Sequence, residues 1–168
     1  MPGLGGRELS KQHILKSAEA LNLIDPDFIR IRTLALPPNL EICSDYCSGI
    51  STRSNDSDTA EELILLLKNL KGIHSYVRND HILNLLPGVE GRLPDDRAAM
   101  IEEAESFLNL DTEERIIYRL GRRLGRLSSP SDLGNRAAVD GIRTLIDANR
   151  IDSGNIDGIC EQLMMRFI

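Results

Sequence analysis

Apolar positions recur with two different periods along this chain. Ile14, Leu15, Ala18 and Leu21 fall at helical spacing between a glycine-rich turn, Gly3-Leu4-Gly5-Gly6, and the break Asp25-Pro26, which predicts a first helix. Phe28, Ile29 and Ile31 then favour an extended chain, so residues 28–36 read as a strand that Pro37-Pro38 stops. Residues 39–58 are rich in Ser, Asn and Asp and read as a long loop. Leu63, Leu66, Leu67 and Leu70 return to the helical period. Asp58, Glu61 and Glu62 lie in the first turn of that helix, where its dipole favours negative charge. A second short strand is expected over 73–77.

From Pro94 onward only the helical period is left. Met100, Ala104, Phe107 and Leu108 give one apolar face, and Asp111 with Glu114 makes a capping pair for a helix carrying Ile116, Ile117, Leu120, Leu124 and Leu127. Ser129-Pro130 starts another, with Val139, Ile142, Leu145 and Ile146 as its stripe, and 156–167 reads as a closing helix. Arg115, Arg119, Arg122 and Arg126 share the face opposite the Leu120 stripe. Such a row either complements the helix dipole and pairs with internal acids or grips an anion, and the structural role is the stronger of the two readings.

Composition narrows the function classes. A net charge of −6 argues against a general nucleic-acid or anionic-membrane surface. Aromatic residues make up 4% of the chain and tryptophan is absent, which argues against a base-stacking platform. No apolar run approaches the ~20 residues that span a bilayer. An odd count of 3 cysteines and no secretory signal point to a reducing cytoplasm. No hydrolytic triad, P-loop or H-E-x-x-H pattern is present, so no residue is assigned as catalytic or as a metal ligand.

Three groups of residues carry candidate chemistry. Asp80, His81 and Asn84 fall where a strand gives way to the next element, the end at which open α/β folds place ligands; their bland reading is a helix cap and its first turn. Arg30 and Arg32 lie two apart on one side of the preceding strand and need acceptors, either internal carboxylates or a ligand. Gly3, Gly5 and Gly6 let the backbone approach a ligand ahead of a helix N-terminus, although the spacing is not that of a nucleotide fingerprint.

Five separated blocks also carry a family likeness: the Gly3-Leu4-Gly5-Gly6-Arg7-Glu8-Leu9-Ser10 turn and helix, Asp27-Phe28-Ile29-Arg30-Ile31-Arg32-Thr33-Leu34, Asp80-His81 with Asn84-Leu85-Leu86, Gly91-Arg92-Leu93-Pro94-Asp95-Asp96, and Leu120-Gly121-Arg122-Arg123. In this order they resemble the C-terminal part of radical S-adenosylmethionine enzymes, over roughly positions 1–133. The chain departs from the pattern at Asn79, where a serine is expected, and at Pro87-Gly88, where an acidic residue is expected.

The resemblance implies an α/β fold. Residues 1–90 would be the C-terminal strands and helices of a partial TIM-type barrel, and 91–168 a helical C-terminal region. It implies that Gly3, Gly5, Gly6, Arg30 and Arg32 face S-adenosylmethionine, and that Asp80, His81 and Asn84 face substrate. In the intact parent a reduced [4Fe-4S] cluster would donate an electron to S-adenosylmethionine, releasing a 5'-deoxyadenosyl radical that abstracts a substrate hydrogen. That cluster needs a C-x3-C-x2-C run. Cys43 and Cys47 have the first spacing, but Ile50 stands at the third position, so this chain is not expected to be catalytic alone. Its expected partner is the missing N-terminal barrel half or a second copy of itself, because a few detached strands would leave a sheet edge open. The alternative is a free-standing helical interaction or scaffold module.

Overall fold

Where the helical period is strong, helices form. The computed structural model describes residues 1–36 and 40–167. Helix α1 (Gly6–Ile24) ends where Asp25 turns left-handed at φ 45° and its N–H closes on the Leu21 carbonyl. Strand β1 (Phe28–Arg30) follows, then α2 (Glu41–Ser48) and α3 (Asp56–Asn69). Helix α3 opens on a capping box, in which the Asn55 side chain accepts from the Ser57 and Asp58 N–H groups and the Asp58 carboxylate accepts from the Asn55 N–H. Its buried residues Ala60, Leu63, Leu66 and Leu67 share a core with Ile14 and Ala18 of α1 and with Met100, Ala104 and Phe107 of α4 (Arg97–Leu108).

Strand β2 (Tyr76–Arg78) runs parallel to β1, with Ile29 opposite Val77 and Arg30 opposite Arg78. Strand β3 (Gly91–Arg92) lies antiparallel on the far side of β2, so among the described residues β1 is left as an open edge. After α4 the chain is helical: α5 (Thr112–Arg123), a short 3-10 turn Pro130–Gly134, α6 (Arg136–Asn149), α7 (Ile156–Met164) and a last 3-10 turn Met165–Phe167. The Asp111/Glu114 capping box forms at the start of α5 as the spacing predicts. Tyr118 of α5 is fully buried against Phe107, and its hydroxyl donates to the Leu85 carbonyl at 2.9 Å.

A partial TIM-type barrel does not form. Helices hold 58% of the residues and strands 5%, and the third strand is antiparallel where such a barrel is parallel throughout. The cause lies just past β1. The Ile31 N–H adds one more bond, to the Arg78 carbonyl at 2.8 Å, and then Thr33 is taken by Asn84 rather than by a neighbouring strand. The apolar run 31–36 therefore leaves the sheet, and the Pro37-Pro38 stop lies outside the described residues. The segment 39–58, expected as a loop, holds α2, which ends at Gly49 with φ 75°. Cys43, Tyr46 and Cys47 fall on one face of that helix, a stripe too short for periodicity to register.

The helical half is tied to α3 by one buried carboxylate. Asp56, the first residue of α3, accepts from Arg119 Nε and from Arg123 Nη2, both at 2.7 Å, and the two arginines are each 8% exposed. Arg119 also reaches Asp157 of α7 at 2.6 Å, and Arg123 donates to the Leu83 carbonyl. Arg115 spends one amino group on the carbonyls of Leu108 and Leu110. Much of the arginine row on α5 is thus consumed inside the protein. Burial alone would push the Asp56 carboxyl up, but the guanidiniums of Arg123 and Arg119 outweigh that and hold it below its ordinary value.

Removing this charge strands two guanidiniums out of water. Asp56→Asn is expected to cost about 3–5 kcal/mol in urea unfolding, whereas Glu113→Gln, which breaks only the exposed pair with Arg143, stays within ~1 kcal/mol. Equal costs for the two variants would contradict the ranking. Because the folded value is depressed, the Asp56 contribution is complete at neutral pH. It begins to fall near the ordinary aspartate value of ~3.9 and is lost as pH drops through the folded value.

Candidate functional site

Parallel pairing of β1 and β2 brings the residues that follow both strands to the same end of the sheet. Side chains alternate there, with Ile29, Ile31 and Val77 buried and Phe28, Arg30 and Arg78 outward. Asp80 takes a two-pronged ion pair from Arg30, at 3.0 Å from Nε and 2.9 Å from Nη2, and Arg78 Nε stands 3.4 Å from the same carboxylate. Phe28, Arg30, Arg78 and Asp80 line a cleft of about 290 Å³. The hydrogen bond from Arg30 holds the Asp80 carboxyl below its usual range. Arg30 is 55% exposed, so it reaches Asp80 from the solvent side and is not the buried guanidinium that a doubly covered sheet would require.

His81 completes the cluster with Arg32. Partial burial, then repulsion from Arg32 and Arg30, lowers the His81 pKa against a smaller opposing pull from Asp80. The imidazole is therefore neutral at pH 7, and its Nδ1 is buried with no hydrogen-bond partner among the described residues. Arg32, half-buried, makes no hydrogen bond or ion pair with a described residue. A cation without an acceptor among the described residues, beside a neutral imidazole that can donate one N–H, is suited to an oxyanion.

Asn84 lies behind this cluster, 1% exposed. Its carbonyl oxygen accepts from the Thr33 N–H and the Thr33 hydroxyl, both at 2.9 Å, while its amide donates to the Ile31 carbonyl at 3.1 Å and to the Asn79 side chain. Four bonds exhaust the capacity of a primary amide. Asn79 in turn donates to the Leu86 carbonyl. Asn84 thus clamps the exit of β1 to the exit of β2 from within.

The glycine turn faces a second, deeper cavity of about 340 Å³ whose walls include Gly3, Arg7, Thr33, Asp56, Arg119 and Cys160. Gly3, at φ 82°, donates its N–H to Glu62 at 2.7 Å; Glu62 is 2% exposed and its other oxygen has no partner among the described residues. Gly6, at φ 57°, has no room for a side chain, since a Cβ would meet Ser51 Oγ at 2.6 Å. Gly5 packs on the Leu9 backbone. Helix α1 turns its first N–H groups to protein: Arg7 N–H donates to the Thr52 carbonyl at 2.9 Å. Glu8 accepts from Thr52 N–H and Ser51 Oγ, and the Thr52 bonds bring its carboxyl down to about 2. Of the three glycines, Gly3 lines the cavity. Thr33 joins the two places, as a wall of the deep cavity and as the residue after Arg32.

The cysteines do not fit a [4Fe-4S] cluster, which needs three or four thiolates converging. Cys43 and Cys47 line a third cavity beside α2, whereas Cys160 is buried on α7 by the Asp56 network, where desolvation pushes its thiol up to about 12. Arg32, by contrast, has guanidinium N–H groups without an acceptor among the described residues, the donors that a carboxylate would need.

Sequence reasoning missed Arg78, Asn79, Thr33 and Glu62. Arg78 was legible in principle, two residues before Asp80 on the outward face of β2. The Thr33–Asn84 bonds join positions 51 apart and leave no local signal. Among the described residues no helix is long and apolar enough to cross a membrane. The chain matches no family model, no curated protein and no solved structure in the comparisons made.

If Asn84 is the internal clamp, Asn84→Ala leaves several buried groups unpaired, at ~1–3 kcal/mol each. The expected result is a lower urea midpoint together with faster hydrogen exchange at the Thr33 amide; unchanged Thr33 protection would show that the clamp is not needed.

Proposed function

We propose that this chain is part of a radical S-adenosylmethionine enzyme, in which it supplies an anion-binding wall of the S-adenosylmethionine and substrate pocket while protein outside it holds the [4Fe-4S] cluster. The reading starts from the sequence resemblance, and one observation supports it above the others: Arg32, without an acceptor of its own, stands with His81 and the Arg30–Asp80 pair at the shared end of two parallel strands. S-adenosylmethionine, when bound, supplies the radical chemistry of such enzymes. Arg32 receives a carboxylate from it or from the substrate. Asp80 holds Arg30 in place, His81 at neutral pH offers one N–H to the bound anion, and Asn84 keeps the two strand exits in register from behind.

The open edge of β1 supports the need for a companion. Leu23, Ile24 and Phe28 beside it are 83%, 68% and 65% exposed, and the rest of the enzyme or a second copy would cover them. The same exposure favours the second reading, a helical interaction module without a ligand. We place either form in the cytoplasm, on the cysteine usage.

Titration of the isotope-labelled chain with S-adenosylmethionine separates the two. The amides of Arg32, Thr33 and His81 are expected to shift together, and Arg32→Ala to weaken binding about 10- to 150-fold, the loss of one charge-assisted hydrogen bond at ~1.5–3 kcal/mol. No shift at these amides, or equal binding by the variant, would overturn the enzyme reading and favour the interaction module.

A further inference from the structure

The cavity beside α2 has an unusual set of donors. Its volume is about 540 Å³, and its walls include Cys43, Cys47, Met164 and Met165 together with Tyr46 and Leu36. Cys43 and Cys47 are one turn apart on α2, while Met164 ends α7 and Met165 begins the last 3-10 turn. Two thiols from α2 and two thioethers from the last helical segments thus border one space. Arg53, tied to Glu161 at 2.9 Å, closes another side.

Helix geometry decides what the two thiols can do together. Cβ atoms four residues apart on a helix are separated by about 5–6 Å, whereas a disulfide needs about 3.8 Å. The pair cannot oxidise to a disulfide without unwinding α2. A metal ion asks less of the pair than a disulfide does, since metal–thiolate bonds of ~2.3 Å allow sulfurs up to ~4.6 Å apart.

Softness decides which metal. No group of three or more His, Cys, Asp and Glu side chains is placed to hold an ion among the described residues, which leaves zinc short of its usual four ligands. Thiolate with thioether selects Cu(I). We propose that Cys43 and Cys47, supported by the thioethers of Met164 and Met165, form a binding site for Cu(I). Binding displaces one proton from each thiol to solvent and forms two Cu–thiolate bonds, to which the neutral thioether sulfurs of Met164 and Met165 add Cu–S bonds without loss of a proton, with no change of oxidation state. The site is independent of the S-adenosylmethionine reading and uses none of its residues.

The test is anaerobic competition of the reduced full chain for Cu(I) against a colorimetric Cu(I) chelator, with X-ray absorption on the loaded protein. One Cu(I) per chain in an all-sulfur shell is expected. Cys43→Ser and Cys47→Ser should each weaken binding at least about 100-fold, more than the ~10–100-fold that outer-shell changes cost. Cys160→Ala should leave it unchanged, and Met164→Leu should remove a sulfur from the shell. Far-UV circular dichroism confirms that each variant is folded. Failure to compete, nitrogen or oxygen ligands in place of sulfur, or loss of binding with Cys160→Ala alone would overturn the proposal.

Discussion

A carboxylate removed from water must be met by charge from the protein, and at Asp56 both cations come from one helix. Arg119 and Arg123 stand one turn apart on α5 and clasp the first residue of α3 between them. That geometry fixes α5 against the start of α3, and the spare donors of the two arginines extend the restraint to α7 through Asp157 and to the segment after β2 through the Leu83 carbonyl. The charge network favours one register, because leaving the buried Asp56, Arg119 or Arg123 unpaired costs several kcal/mol.

The strand ends inherit their positions from this arrangement. Asp56 sits at the foot of the deep cavity that Thr33 walls, and Leu83 lies next to Asn84. Asn84 and Asn79 then join the two strand exits with bonds that use the whole amide of Asn84. With the rear of the site rigid, the polar groups in front can remain under-satisfied. Arg32 and His81 are such groups, and incomplete pairing at a held position is what a ligand site requires.

Period and capping made most of the helices legible. Helices α1, α3 and α5 fall where the apolar spacing places them, and the Asp111/Glu114 pair caps α5 as read. The sheet was misread, because β-favouring residues at 28–36 say nothing of whether a neighbour is available. Strand β1 stops at Arg30 because Asn84 intercepts Thr33, and β3 is two residues long, below any pattern. The family likeness carried a parallel barrel with it, and the antiparallel β3 rules that out for this chain. Within the candidate site, the proximity of Arg30 to Asp80 followed from parallel pairing of two short strands. The internal role of Asn84 did not, since its partners lie on a segment that only the tertiary fold brings near.

Whether Arg32 and His81 form one oxyanion site is tested most directly by titration of the His81 imidazole by NMR, with and without sulfate. Sulfate stands in for a carboxylate or phosphate. Without it His81 is predicted to titrate below the ordinary ~6.5, and with it the value should rise as Arg32 is neutralised, a rise that Arg32→Ala removes. An ordinary value in both conditions, or a depressed one that sulfate does not move, would contradict the site.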